Sequence, residues 1–114
     1  MAAAPDTGLP PGTAEAFAKM RQGFCAGLSD RWAGIEQARD KAERVAALHR
    51  LAGAAGSFGF PGLGVAAREA EAAVLGTDAA LARSALDALG AMIRSLSASA
   101  DGIRQSHPKD DTLR

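Results

Sequence analysis

Much of the apolar content of this 114-residue chain is alanine, and no other feature constrains its fold as strongly. Hydrophobic residues make up 47% of the sequence but aromatics only 4%, so a core has to be assembled from small side chains. Alanine fills little space and is the best helix former, so such a core calls for helices packed closely against one another. Tyrosine is absent and β-branched residues are sparse, which argues against sheets. The length suits one domain.

The order of stripes and turn signals predicts four helices. Residues 1–12, "MAAAPDTGLPPG", show no periodicity and read as a flexible leader. Thr13 is placed to cap a first helix over about 14–38, in which Phe17, Met20, Phe24, Leu28, Trp32 and Ile35 step by three and four. Gly23, Gly27 and Gly34 weaken that helix and allow a bend or a close neighbour. "DKAE" offers Asp40 as N-cap with Glu43 at capping-box spacing, which predicts a second helix over 41–58. Gly59 ends it, and Pro61 suits the first turn of a third helix over 61–74, with Leu63, Ala66, Ala70 and Val74 inward. Gly76 stops that helix. Thr77 or Asp78 caps a fourth, whose stripe is Leu81, Ala85, Leu89, Met92, Leu96, Ala100 and Ile103, widened by Leu86 and Ile93. The expected fold is all-α, an antiparallel up-down-up-down four-helix bundle over 13–106, with a flexible tail at 107–114.

Composition removes several functions. Thirteen basic and thirteen acidic residues give a formal net charge of 0, with no basic block or aromatic-basic alternation, so no nucleic-acid partner is expected. No apolar run approaches a membrane span and the N-terminus lacks a signal-peptide pattern, so no membrane partner is expected. The single Cys25 cannot form an internal disulfide, and the expected location is cytoplasmic. "GLGVAA", Gly62–Ala67, has a dinucleotide-binding spacing but follows a helix and a proline turn instead of a strand, so it reads as a helix start. Cys25, Met20 and His49 do not make a metal site, because no second histidine lies within helical reach of His49 and His107 falls in the tail. Cys25 reads as a small buried side chain, and Glu69 and Glu71 as the solvated exterior of the third helix.

His49 stands apart from these. With about 100 degrees of rotation per residue, Leu48, Leu51, Ala55 and Phe58 fall on one side of the second helix and His49 lies away from them. Its neighbours on the helix surface, Ala52, Gly53 and Gly56, are nearly free of side chain. Each helical glycine costs about 0.5–1 kcal/mol relative to alanine, so two beside one histidine imply an offsetting purpose. Either another helix of the bundle comes close there, or a second macromolecule brings a reactive group up to the imidazole.

The stretch "LHRLAGAAGSFGF" resembles the signature of histidine-containing phosphotransfer (HPt) domains, in which a small-residue helix of a four-helix bundle displays one exposed histidine. His49, Leu51 and Gly53 match the pattern, as do the small residues Ala54, Ala55, Gly56 and Ser57. The helix order, the "FGFPGL" turn and the length also match, so the resemblance covers about 13–106. Ala52 departs from it, since members often carry a lysine there that assists the phosphoryl group. Arg50, offset by about 100 degrees, has a side chain long enough to reach back towards the phosphate.

The resemblance implies that His49 accepts a phosphoryl group from a receiver-domain aspartyl-phosphate and passes it to another receiver aspartate. It implies receiver domains of response regulators or hybrid histidine kinases as partners. It also implies no cofactor of the chain's own, Mg2+ held by the receiver, and a monomer. Arg50, Ala52, Gly53 and Gly56 then form the phosphate neighbourhood and the path of receiver access. No ATP-binding lobe is expected beside the bundle, and the resemblance implies a phosphotransfer intermediate rather than an independent kinase. The competing reading is a helical adaptor that docks receivers or kinases without being phosphorylated.

Overall fold

The computed structural model describes residues 12–105, with side chains through Ser99. The tail expected at 107–114 lies outside the described residues, as does the leader apart from Gly12. The described chain forms α1 (Thr13–Ala26), α2 (Leu28–Glu36), α3 (Lys41–Ser57), α4 (Pro61–Leu75) and α5 (Ala79–Gln105). It is an all-α bundle of four legs, the first made by α1 and α2 in succession. α3 and α4 share the most extensive contact, α4 packs on α5, and α2 lies against both α3 and α5. Short turns make these neighbours antiparallel.

The expected single helix over 14–38 is therefore corrected to two helices broken at Gly27. The Gly27 N–H is shared between the carbonyls of Gly23 and Phe24, and its own carbonyl accepts from Arg31 N–H. Glycine loses more backbone freedom in a helix than any other residue, so the interruption falls there. α2 ends at Glu36, where Arg44 of α3 reaches across. Its Nε donates to the Ile35 carbonyl at 2.9 Å and its Nη2 to the Glu36 carbonyl at 3.1 Å. Those carbonyls lie in the last turn, where a helix has no partners of its own.

The other boundaries follow local chemistry. Asp40 is an extended N-cap whose carboxylate accepts from Glu43 N–H at 2.8 Å. Asp78, not Thr77, caps α5, accepting from Leu81 N–H at 3.0 Å. Thr13 makes no cap. It is the first residue of α1, behind Gly12, and no side chain bonds the helix start. α3 closes with the Phe60 N–H bonded to the Ala55 carbonyl at 2.8 Å while Gly59 sits at φ +82°, a left-handed position that favours glycine.

The core is aliphatic and small: Leu28, Ile35, Leu48, Leu51, Leu63, Leu89 and Ile93 are its largest fully buried side chains, with Ala52, Ala55, Ala67 and Ala70 filling the α3–α4 seam. Gly64 belongs to that seam, where a Cβ would meet the Ala52 carbonyl at 3.5 Å and the Ala55 Cβ at 3.8 Å. Phe24 stacks on Phe58 and Phe60, with centroids 5.1 and 5.6 Å apart. Arg21 Nε donates to the Phe58 carbonyl at 2.9 Å, and its guanidinium stands 4.5 Å over the Phe60 ring. The α3–α4 turn thus abuts α1 at the level of Arg21–Phe24. The earlier turns of α1 run past it and leave Phe17 and Met20 exposed instead of inward. Leu81, in the first turn of α5, is also exposed despite its place on the stripe, and Met92 marginally so. Ser97 is the one buried polar side chain among the described residues, paired with Ser29 through a 3.1 Å hydroxyl contact. Burial pushes the Cys25 thiol up from its ordinary range, partly opposed by the nearby Arg21 charge.

Candidate functional site

The α3–α4 pair is a hairpin of two antiparallel helices, and its register decides what can meet across the seam. His49 and Glu71 are symmetric about Phe60 in the sequence, so an antiparallel hairpin turning there brings them level. Their side chains do meet. His49 Nδ1 lies 3.4 Å from Glu71 Oε2, at the outer limit of a polar contact. The histidine side chain is 77% exposed and the glutamate only 21%. Glu71 is thus held against α4 while the ring stands out over the seam. The expectation that Glu71 belongs to a solvated exterior is corrected: α3 covers it because α3 and α4 approach closely through Gly64, Ala52 and Ala55. Glu69 is exposed, as expected.

Leu48, Leu51 and Ala55 are fully buried and Phe58 is half-buried, so the core side of α3 is the one the helical rotation predicts. His49 lies outside it. The small residues beside the ring do not form one surface, however. Ala52 is only 5% exposed and belongs to the core cluster, which corrects its place among residues of receiver access. Three residues of rotation carry it back towards α4. Gly53 and Gly56 are exposed, and a Cβ added at either would meet nothing within 4 Å. No other helix of the bundle therefore comes close at these two glycines.

A shallow groove runs from the ring towards the start of α3, lined by Ala42, Val45, Ala46 and Leu75 with Lys41 at its far end. Arg50 borders this groove and also lines a separate cleft with Arg31, Gly34, Glu43 and Ala47. It therefore stands on the side of His49 that faces α2. Neither Arg50 nor Arg68 has a carboxylate within 4.0 Å among the described residues, where the close contacts of a basic group with a carboxylate are Arg39–Glu43 and His49–Glu71. No group of three or more His, Cys, Asp and Glu side chains in the described residues is arranged to hold a metal ion. The Gly62–Ala67 spacing lies in the first turns of α4 and follows α3, with no strand before it in the described residues. Trp32 packs on α5, with a ring carbon 2.7 Å from where a Cβ of Gly90 would stand.

A family model described as Hpt domain matches residues 19–99, which takes in α2, α3, α4 and most of α1 and α5. The chain belongs to the Hpt domain family. No curated protein and no solved structure matches it. Hpt domains act in histidine phosphotransfer within phosphorelay signalling, and they interact with receiver domains. This Hpt domain has no described helix long and apolar enough to cross a membrane. Sequence reasoning missed Glu71 in it, although the symmetry about the turn was available as a signal once the hairpin was predicted.

Proposed function

We propose that His49 is the phosphoacceptor of this Hpt domain, taking a phosphoryl group from the aspartyl-phosphate of one receiver domain and handing it to the aspartate of another. The observation that carries the reading is the exposed His49 ring with Nδ1 turned to Glu71. A carboxylate at Nδ1 favours the tautomer with its proton there, which leaves the Nε2 lone pair free as nucleophile. Nε2 attacks phosphorus, the N–P bond forms, and the acyl phosphate P–O bond breaks with its electron pair staying on the departing aspartate. The Nδ1 proton stays in place, so the ring becomes cationic and Glu71 stabilises that charge, as a carboxylate does behind a catalytic histidine. In the onward step a receiver carboxylate attacks phosphorus and the N–P pair returns to Nε2.

In-line approach needs room, and Gly53 and Gly56 supply it on the outer face of α3. The Mg2+ of the reaction is assigned to the receiver. Arg50 borders the ring from the α2 side and is one candidate for contact with the phosphoryl oxygens. The domain works as a cytoplasmic monomer, with receivers of response regulators or hybrid kinases as its partners. Incubation with a set of phosphorylated receivers tests the reading. Acid-labile, base-stable label is expected on the wild type and none on His49→Gln. Label that persists on that variant, or receiver binding with no label at all, overturns it.

A further inference from the structure

We infer that Arg68 of α4 supplies the positive charge beside the phosphoryl group on His49, from the helix opposite the one that carries Ala52. The inference rests on His49 as phosphoacceptor. Gly64 packs level with Ala55, and Glu71 level with His49. Arg68 lies between them on α4, one turn before Glu71 on the same stripe, and so stands level with Ala52. Its Nη1 is 3.6 Å from the point where a Gly64 Cβ would sit, and the Ala52 carbonyl is 3.5 Å from that same point. The guanidinium therefore rests on the α3–α4 seam at the level of Gly64 and Ala55, on the far side of Ala52 from the His49 ring. It leans back towards the start of α4, as long helical side chains do. The side chain is exposed, and rotation about its stem swings the guanidinium towards the ring.

A phosphoryl group brings two or three anionic oxygens to a face whose nearest charge is the Glu71 carboxylate. Charge-assisted bonds from a guanidinium offset that repulsion. Ala52 offers no charge and is buried. Lys41 stands two turns away along α3, and Arg50 borders the His49 groove from the α2 side of α3. Arg68 is the arginine that stands on α4, on the Glu71 side of the ring.

The test loads His49 chemically with phosphoramidate, then adds one unphosphorylated receiver and follows the partition of phosphate between the two proteins. Arg68→Met keeps the stem and removes the charge. It is expected to shift the equilibrium towards the receiver by about fivefold, the range of a solvent-exposed ion pair, and less at high salt. Arg68→Lys is expected to restore most of the wild-type partition, and Arg83→Met, in the separate cleft lined by Trp32 and Arg44, to leave it unchanged. An Arg68→Met partition equal to wild type overturns the inference, as does an equal shift with Arg83→Met. Absence of phosphohistidine after phosphoramidate overturns the His49 reading itself, and this inference with it.

Discussion

Glu71 and Arg68 act differently on the same ring, and the difference is measurable. Glu71 stabilises positive charge on the imidazole as the N–P bond forms and as it breaks, so its removal slows both directions. In the phosphorylated state its attraction to the cationic ring is offset by its repulsion of the phosphoryl oxygens. Glu71→Ala is expected to lower the transfer rate about fivefold each way, with the partition little changed, because the exposed half of the pair limits what a carboxylate contributes. Glu71→Gln keeps the packing and an acceptor oxygen and should fall between. Rapid-quench transfer in both directions checks this, and a variant as fast as wild type refutes it. The glycines give a second residue-scale prediction. A Cβ at position 53 or 56 meets open space inside a regular helix. Gly53→Ala and Gly56→Ala should therefore each stabilise the fold by about 0.5–1 kcal/mol. Both should slow transfer from a receiver, because the added methyl groups stand on its approach path. Denaturant melts and transfer rates on the same samples check the pair of effects. Reduced stability would mean that the glycines serve the fold. The side of α3 on which His49 stands was legible from rotation alone. The burial of Ala52 was not, because that depends on how closely α4 approaches, and Gly64 on the other helix sets that distance.

At the scale of elements, the turn chemistry was the most legible part. Asp40, Gly59, Pro61 and Gly76 each act through their own backbone or the next turn, so neighbouring residues suffice to place them. The continuity of the first leg was not legible. An unbroken three-and-four stripe runs through Gly27, and the periodicity of Phe24, Leu28 and Trp32 is the same whether or not the ladder is interrupted. The exposure of Phe17 and Met20 has a similar origin. A stripe records which side of a helix is apolar, and not how far the opposing hairpin extends. The join between α2 and α5 is an element-level contact open to direct test. The Trp32 ring occupies the space of a missing side chain at Gly90, with three ring carbons between 2.7 and 3.3 Å from the Cβ position. Gly90→Ala is expected to cost about 1–3 kcal/mol through overpacking, despite the better helix propensity of alanine. Thermal unfolding followed by Trp32 fluorescence reads both the loss and the displaced ring. An unchanged or higher midpoint would mean that the α2–α5 packing gives way freely.

The whole molecule carries a balanced charge, and that makes a single phosphorylation visible. Thirteen basic and thirteen acidic residues cancel at neutral pH. A phosphoryl group brings about −1.5 to −2 charge, so the phosphorylated protein becomes a discrete anionic species. Charge-based separation of native protein after incubation with a phosphorylated receiver should show two bands for the wild type and one for His49→Gln. Brief acid treatment should return the shifted band to its origin, since an N–P bond on imidazole is acid-labile. The same gel separates phosphotransfer from mere docking. An adaptor retains the receiver but shows no shifted free band once the complex is taken apart. Fold does not decide between the two, because a bundle of four helix legs can serve either. The site argues for transfer. An exposed ring with a largely covered carboxylate 3.4 Å from one nitrogen, beside two glycines with open space above them, leaves the other nitrogen free for an incoming phosphorus. A docking surface needs none of these features, and a single unshifted band from the wild type would leave them without a use.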